Sequence, residues 1–274
     1  MTISTRDGLI DGLGNNASRI VVDKASLANA AAGQFFSLWR ATGVPGQAAI
    51  PTAAAIPTHA TLGALGFTQQ TSPNTSYLAY LVPKMANVQS LEIHDRVAHM
   101  GGLSGTVATT AQTVGIDLTS GGLNLEAARR GDANYSDIEW WIEIFTDLGA
   151  TGVNATVAVT YDDASTGNLA VVALGATPRA GRMYQLIPAV AGRWIRAVTS
   201  VTLSATTGTA GNFGVTATRN RSEVDVDLTN KGKPYHWADL GFPEVPNNSC
   251  LFFIVPCTTT TTGVVRAKGK IIHG

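Results

Sequence analysis

Histidine side chains are the first candidates for chemistry in this sequence, because they can bind metal ions and transfer protons. His94 and His99 lie in the run HDRVAH. Their odd spacing places them on opposite faces of a strand, whereas a zinc site needs three or four convergent ligands. The other histidines are far away in the sequence: His59, His236 and His273. The pattern predicts structural or solvent-exposed histidines and no metal site.

Paired carboxylates are the second candidates. Asp225 and Asp227 share one face of a predicted strand, and Asp162 and Asp163 begin a predicted turn. Such pairs can hydrolyse glycosides or bind calcium, but the sequence places no further carboxylate opposite either pair. We interpret them as residues of a solvent-facing strand and of a turn.

Two further motifs fall short of a catalytic pattern. Ser104 lies in GGLSGT, which lacks the glycine two positions downstream that a nucleophile elbow requires. The glycine-rich run 208–214 contains no Lys-Ser or Lys-Thr pair, so it indicates a hairpin and not a phosphate loop. The sequence therefore predicts a protein that is not an enzyme and uses no cofactor.

The strongest strand pattern runs from residue 138 to residue 161. Apolar residues alternate along IEWWIEIF and again along VNATVAVTY, with a glycine-containing loop between the two runs. Period-two alternation on both sides of a turn predicts an antiparallel pair with one buried face. We expect this pair to form the spine of a β-sandwich.

The opposite face of the first run mixes charge with large aromatic rings: Glu139, Trp141, Glu143 and Phe145. Trp140 and Trp141 are adjacent, so one of them points away from whatever the other packs against. Exposed tryptophan is typical of binding interfaces. Trp141 is therefore a candidate contact with a second subunit or another partner, and cover by an N-terminal arm is the alternative.

The N-terminal part of the chain has a different composition. The composition of residues 1–24 predicts a weakly ordered N-terminal segment. The composition of residues 25–41 predicts a short helix or turn. Residues 42–74 hold Pro45, Pro51, Pro57 and Pro73 with almost no charge, which favours an extended arm. The arm either lies over its own sandwich or reaches a neighbouring subunit. We expect an N-terminal segment and arm over 1–76 and a β-sandwich body over 77–274.

Strand-like runs fill that body with little helix between them, which predicts an all-β sandwich or jelly roll. Cys250 and Cys257 end one of these runs, too far apart along a strand for a disulfide, and are expected to be buried free thiols. No apolar run approaches the length of a membrane span, and no signal peptide is visible, so no membrane partner is expected.

Charge is scarce and balanced. The chain carries 19 basic and 19 acidic residues among 274, and its formal net charge is zero. The basic residues are scattered along the sequence, which argues against nucleic acid as a partner. A surface without net charge has little protection against association, which favours a protein that functions in an assembly.

At SLWRATGVPG (37–46) and at FFIVPCTTTTTGVV (252–265) the chain resembles virion structural proteins of tailed bacteriophages. The resemblance implies a β-rich cement or decoration protein on the capsid surface, assembled in the host cytoplasm. It implies a homo-oligomer, often a trimer, that binds neighbouring subunits of the major capsid protein. A tail or head–tail connector component and a glycan-binding fibre or spike module are the alternatives. The candidate contact residues are Trp39, Arg40, Pro45, Pro51, Pro57, Glu139, Trp141, Glu143 and Trp237.

Overall fold

The computed structural model describes Ile3 and residues 5–274; residues 1, 2 and 4 of the expected N-terminal segment lie outside the described residues. The described chain is almost entirely β-structure. Its helices are α1 (Arg6–Asn15) and α2 (Ala127–Arg130). Its strands are β1 (Ala17–Lys24), β2 (Gln34–Ser37), β3 (Gly43–Val44), β4 (Ser76–Met85), β5 (Gln89–Leu103), β6 (Gln112–Asp117), β7 (Glu139–Thr146), β8 (Val153–Tyr161), β9 (Thr166–Asn168), β10 (Val172–Gly175), β11 (Arg182–Leu186), β12 (Ile195–Leu203), β13 (Asn212–Val226), β14 (Tyr235–His236), β15 (Glu244–Val245), β16 (Leu251–Cys257) and β17 (Val265–His273).

The chain forms two compact units, and each is described separately. The first unit comprises Met1–Ala48, Thr58–Asp95 and Asn220–Gly274, and the second comprises Ala49–Pro57 and Arg96–Arg219. The chain passes from one unit to the other within β5 and within β13. These units do not coincide with the segments 1–76 and 77–274, because the first unit takes strands from both of those segments.

The first unit is built on a sheet with the strand order β14-β4-β17-β1-β3, and β15 also pairs with β4. β1 is antiparallel to β17 from Ala17 opposite Ile272 to Lys24 opposite Val265. β16 pairs separately with β2 and with β5. Alternate residues of β1 and β17 are buried, so one face of this sheet covers the core of the unit and the other faces outward.

The second unit contains a sheet with the order β10-β8-β12-β6, with β9 on β8. Its β7 pairs instead with β11 and with β13. Trp140 and Ile142 of β7 and Val157 and Val159 of β8 belong to one buried cluster. The all-β sandwich class expected from the sequence is therefore confirmed, and so are the buried faces of both runs.

The expected pairing of those two runs is wrong, because β7 and β8 belong to different sheets. The loop between them makes its hydrogen bonds elsewhere. Gly149 donates its amide proton to Thr207 Oγ1 at 3.1 Å, and its carbonyl accepts one from Thr177. A Cβ at Gly149 would lie 1.8 Å from the Thr207 carbonyl oxygen, so the close approach requires glycine.

Two expectations for the N-terminal residues are also wrong. Residues 6–15 form α1, whose N-cap Thr5 accepts a hydrogen bond from the Gly8 amide, and residues 17–24 form β1. The helix or turn expected over 25–41 is replaced by loops and by β2, which pairs with β16. Pairing with a distant strand has overridden the helix propensity of the alanine-rich run.

The proline-rich arm consists of extended stretches interrupted by turns near residues 58–64 and 71–74, and it packs on its own chain. In the first unit the Leu65 amide donates to the Leu251 carbonyl. In the second unit Ala55 exchanges backbone hydrogen bonds with His99, and the buried Pro57 accepts one from Arg129. The first of the two alternatives for the arm, cover over its own domain, therefore holds for these residues.

Two smaller expectations can be compared with the structure. Cys250 and Cys257 are free and buried, as expected. Among the described residues, no helix combines the length and the apolar character that crossing a membrane requires.

Candidate functional site

Four of the nine predicted contact residues are buried: Trp39, Pro57, Trp141 and Glu143. The expected exposure of Trp141 and Glu143 is wrong, since each is 1% exposed, and Trp39 is also buried. Trp141 donates its indole proton to Thr218 Oγ1 at 2.9 Å. Trp141 and Glu143 lie on β7, which is buried on both faces except at its two end residues, so this part of the charged and aromatic face is interior.

The remaining predicted contact residues are more accessible. Trp237 is 44% exposed and lies edge-on to Phe242 with 6.0 Å between ring centroids. Arg40 is half-buried and donates to the Ala48 carbonyl at 2.8 Å. Half-buried positions are also held by Glu139, Pro45 and Pro51, whereas Pro57 is buried. Their contact role stays a prediction.

A buried polar cluster in the second unit explains why Glu143 is interior. Arg96 Nη2 donates to Glu143 Oε2 at 2.6 Å and to Thr216 Oγ1 at 2.9 Å. The Thr216 hydroxyl donates to the same carboxylate oxygen at 2.5 Å. Arg96 Nε donates to His99 Nδ1 at 2.9 Å. Buried charges need such pairing to offset the cost of their desolvation. Each of the two hydrogen bonds to the Glu143 carboxylate also joins β7 to another strand.

His99 accepts that bond as a neutral ring. Burial, together with the positive charge of Arg96, lowers the pKa of His99 from 6.5 to about 2. A histidine that stays neutral across the physiological range neither stores nor releases a proton there. The cluster therefore has the character of a structural network and not of a proton-transfer site.

The other candidates for chemistry have ordinary surroundings. The exposed Asp225 and Asp227 accept hydrogen bonds from Ser90 and Lys233. Asp163 caps a turn through Ser165. Within the described residues, no group of three or more metal-ligating side chains is close enough to hold an ion.

A second buried charge lies in the first unit and was not anticipated. The Lys24 ammonium donates to the carbonyl oxygens of Ala41 at 3.0 Å, Pro45 at 2.7 Å and Gly46 at 3.5 Å. These carbonyls belong to residues 41–46, which overlap the run SLWRATGVPG. Lys24 thus fixes the path of that loop with hydrogen bonds to backbone oxygens.

The same loop carries exposed apolar groups. Gly43, with φ of 122°, lets the loop approach β1, because a Cβ there would lie 1.8 Å from the Asp23 carbonyl oxygen. The next residue, Val44, is 49% exposed, and Leu62 is 60% exposed and lies against Gly46. We call Val44, Pro45, Gly46 and Leu62 the apolar tip.

Lys24 makes a pH-dependent contribution to stability that can be measured. Burial lowers the pKa of Lys24 from 10.5 to about 8, so between these values the unfolded state binds more protons than the folded state. The Lys24 contribution to the free energy of unfolding therefore rises from about pH 8 to about pH 10.5. Urea denaturation across this range is expected to show the rise in the wild type relative to Lys24→Met.

The control is Lys84→Met, which removes an exposed lysine from the same sheet and should keep the rise. Burial also raises the pKa of Cys257 to about 11, which lowers stability over part of the same range. The measurement is therefore the difference between variants, in which the common Cys257 contribution cancels. An identical pH profile for Lys24→Met and the wild type would contradict the assignment.

Comparisons with known proteins give little additional information. No family model and no curated protein matches this chain. Weak structural matches include infectious bursal disease virus, Gx strain, at 10% identity and a TM-score of 0.18, covering 94% of this chain and 78% of that chain. Another is the T=1 particle derived from infectious bursal virus, at 12% identity and a TM-score of 0.16, with coverage of 94% and 78%. Scores this low support no conclusion about fold or function.

Proposed function

We propose that this chain is a non-enzymatic structural component of a tailed-phage particle, which cements or decorates the capsid by binding neighbouring subunits of the major capsid protein. It would act as a homo-oligomer, most simply a trimer, on the capsid surface after assembly in the host cytoplasm. The proposal starts from the resemblance at residues 37–46 and 252–265 and from the balanced, sparse charge of the chain.

The observation that carries the proposal is the position of those two segments in the first unit. They are far apart in the sequence, yet they are hydrogen-bonded neighbours: Ser37 lies opposite Ile254, and the Leu38 amide donates to the Phe253 carbonyl at 2.9 Å. Trp39 packs edge-on against Phe252 with 5.9 Å between centroids. The residues that carry the resemblance therefore form one packed element.

This element supports an exposed surface. The loop that continues from Trp39 is held by Lys24 and supplies Val44, Pro45 and Gly46 of the apolar tip, and Leu62 comes from a later segment and lies against Gly46. A preformed apolar surface loses little conformational entropy on binding. Repeated over symmetric copies, a contact of modest strength would hold a shell together, because binding to assembled subunits stabilises the assembled state.

Shells assembled from the coat protein of the same phage provide the test. The wild-type protein is expected to co-sediment with the shells and to raise their melting temperature. Val44→Asp combined with Leu62→Asp should weaken binding by at least about ten-fold, since a buried charge would replace two apolar contacts. Val171→Asp, an exposed valine in the second unit, is the matched control and should bind as the wild type does.

Absence of binding by the wild-type protein would overturn the cement assignment. Native mass spectrometry of the free protein then separates the alternatives by symmetry. A trimer agrees with a decoration protein, whereas a larger ring would point to a connector or tail component. Equal loss of binding in Val171→Asp would show that the apolar tip is not the contact surface.

A further inference from the structure

The outer face of the first unit's main sheet gathers basic side chains that are scattered in the sequence. Arg266, Lys268 and Lys270 alternate along β17 and point away from the core. The register places Arg266 beside Lys84 of β4, and Lys270 beside Arg19 of β1. Every second residue of a strand lies on the same face, about 6.6 Å from the last, so the three basic residues of β17 form a row. Lys84 on β4 and Arg19 on β1 flank this row on its two sides.

The acidic groups on or beside this face are fewer than the cations: Asp23 on β1, Glu244 opposite Tyr77 of β4, and Asp239, which accepts a hydrogen bond from the His236 amide. Asp23 pairs with Arg266 at 3.1 Å, and both side chains are more than half exposed. The Lys270 ammonium donates to the Leu13 carbonyl. Arg19, Lys84 and Lys268 form no ion pair in the part of the chain that the structure describes. A protein of zero net charge thus has a distinctly positive face.

The basic face contains a groove with an apolar floor. One part, of about 490 Å³, is lined by Val21, Val82 and Ala267 together with the charged residues Asp23, Lys84, Arg266 and Lys268. An adjoining part of about 260 Å³ is lined by Arg19 and Lys270. Tyr80 and Lys268 line both parts, so the two depressions lie side by side on the outer face of β1, β17 and β4.

An aromatic pair borders these depressions. The Tyr80 ring lies 5.6 Å from the ring of His236, tilted by 35°, and His236 is exposed. Proteins that bind single-stranded nucleic acid without sequence preference combine a positive groove along the phosphates with aromatic rings on which bases stack. A binding site for an acidic peptide requires the cations but does not require aromatic rings for stacking.

We propose that this groove, which we call the basic groove, binds single-stranded nucleic acid. Arg19, Lys84 and Lys268 contact the phosphates, and Tyr80 with His236 provides the stacking surface. The sequence argued against a nucleic-acid partner because its basic residues are scattered; the strand register brings them together. This inference is independent of the capsid proposal and can hold or fail without it.

The test uses the full chain and a fluorescein-labelled oligothymidylate of about 16 nucleotides, with binding measured by fluorescence anisotropy over a salt series. Binding should weaken linearly in log–log form as salt rises, because phosphate contacts release counterions. Lys268→Glu is expected to weaken binding by at least about ten-fold and to make the salt slope shallower by about 0.7 or more.

Two further variants separate stacking and general charge effects. Tyr80→Leu should weaken binding on the order of ten-fold at an unchanged salt slope, because it removes a ring and no charge. Arg179→Glu makes the same charge change on a half-exposed arginine of the second unit, which is paired with Asp147, and should bind as the wild type does. Melting temperatures check that each variant is folded.

Three results would overturn the proposal. The first is absence of oligothymidylate binding at low salt. The second is an equal loss for Arg179→Glu and Lys268→Glu, which would indicate a general charge effect. The third is binding that poly-glutamate abolishes and Tyr80→Leu leaves unchanged, which would identify the basic groove as a site for an acidic polypeptide segment.

Discussion

Replacing Trp141 by alanine is expected to lower the free energy of unfolding by about 3–5 kcal/mol. The side chain is almost completely buried, and its indole proton is bonded to Thr218, so truncation leaves a cavity and removes this hydrogen bond. Trp237→Ala is the matched comparison. Trp237 is 44% exposed, and its loss should change stability by no more than about 0.5 kcal/mol.

Urea denaturation of the two variants measures this difference directly. A small effect for Trp141→Ala would mean that this residue is accessible, as a contact role requires. A large effect agrees with its burial in the second unit. The pair of variants therefore distinguishes a tryptophan that holds the fold from one that is available to a partner.

Removing Glu143 is expected to have a similarly large effect, for an electrostatic reason. Glu143→Ala leaves the Arg96 guanidinium buried without its carboxylate, and breaking a buried ion pair in this way costs about 3–5 kcal/mol. Glu143→Gln keeps an acceptor for Arg96 and for Thr216 and should cost less. Denaturation midpoints at neutral pH give the order of the two variants.

A double variant makes the test specific to charge. Arg96→Met with Glu143→Leu removes both charges together and should recover most of the stability lost in Glu143→Ala, because no unpaired ion remains. The loss of stability in the double variant is compared with the sum of the losses in Arg96→Met and Glu143→Leu measured singly. If the two values were equal, the loss would come from packing and not from the ion pair.

These expectations bear on where the protein can act. The charged and aromatic side chains of β7 are used inside the second unit, in the cluster of Arg96, His99, Glu143 and Thr216. Surfaces that are available to partners include the apolar tip and the basic groove in the first unit, together with the exposed Trp237. The proposed experiments address these surfaces separately.

The sequence determined the class of the fold and the local geometry of many strands. Alternation in VNATVAVTY was enough to predict both β8 and its buried face, because a strand places every second side chain on one side. The same rule would have found Lys24, since ASRIVVDK places it on the face of Ile20 and Val22. The turn at Asp162 and Asp163 was also correct, because the hydrogen bonds from Ser165 to the Asp163 carboxylate are local.

Tertiary structure decided what each strand pairs with and what covers it. Alternation shows which residues share a face of a strand, but it does not show whether the other face is covered. The sequence therefore predicted that Trp141 and Glu143 are exposed. In the structure, β13 pairs with β7 and brings Thr218 and Thr216 to these two side chains. Pairing of β1, β17 and β4, which lie far apart in the chain, sets the register that gathers Arg19, Lys84 and Lys268. Such long-range pairing depends on the packing of the whole unit. It therefore cannot be predicted from the local pattern of residues in a single strand.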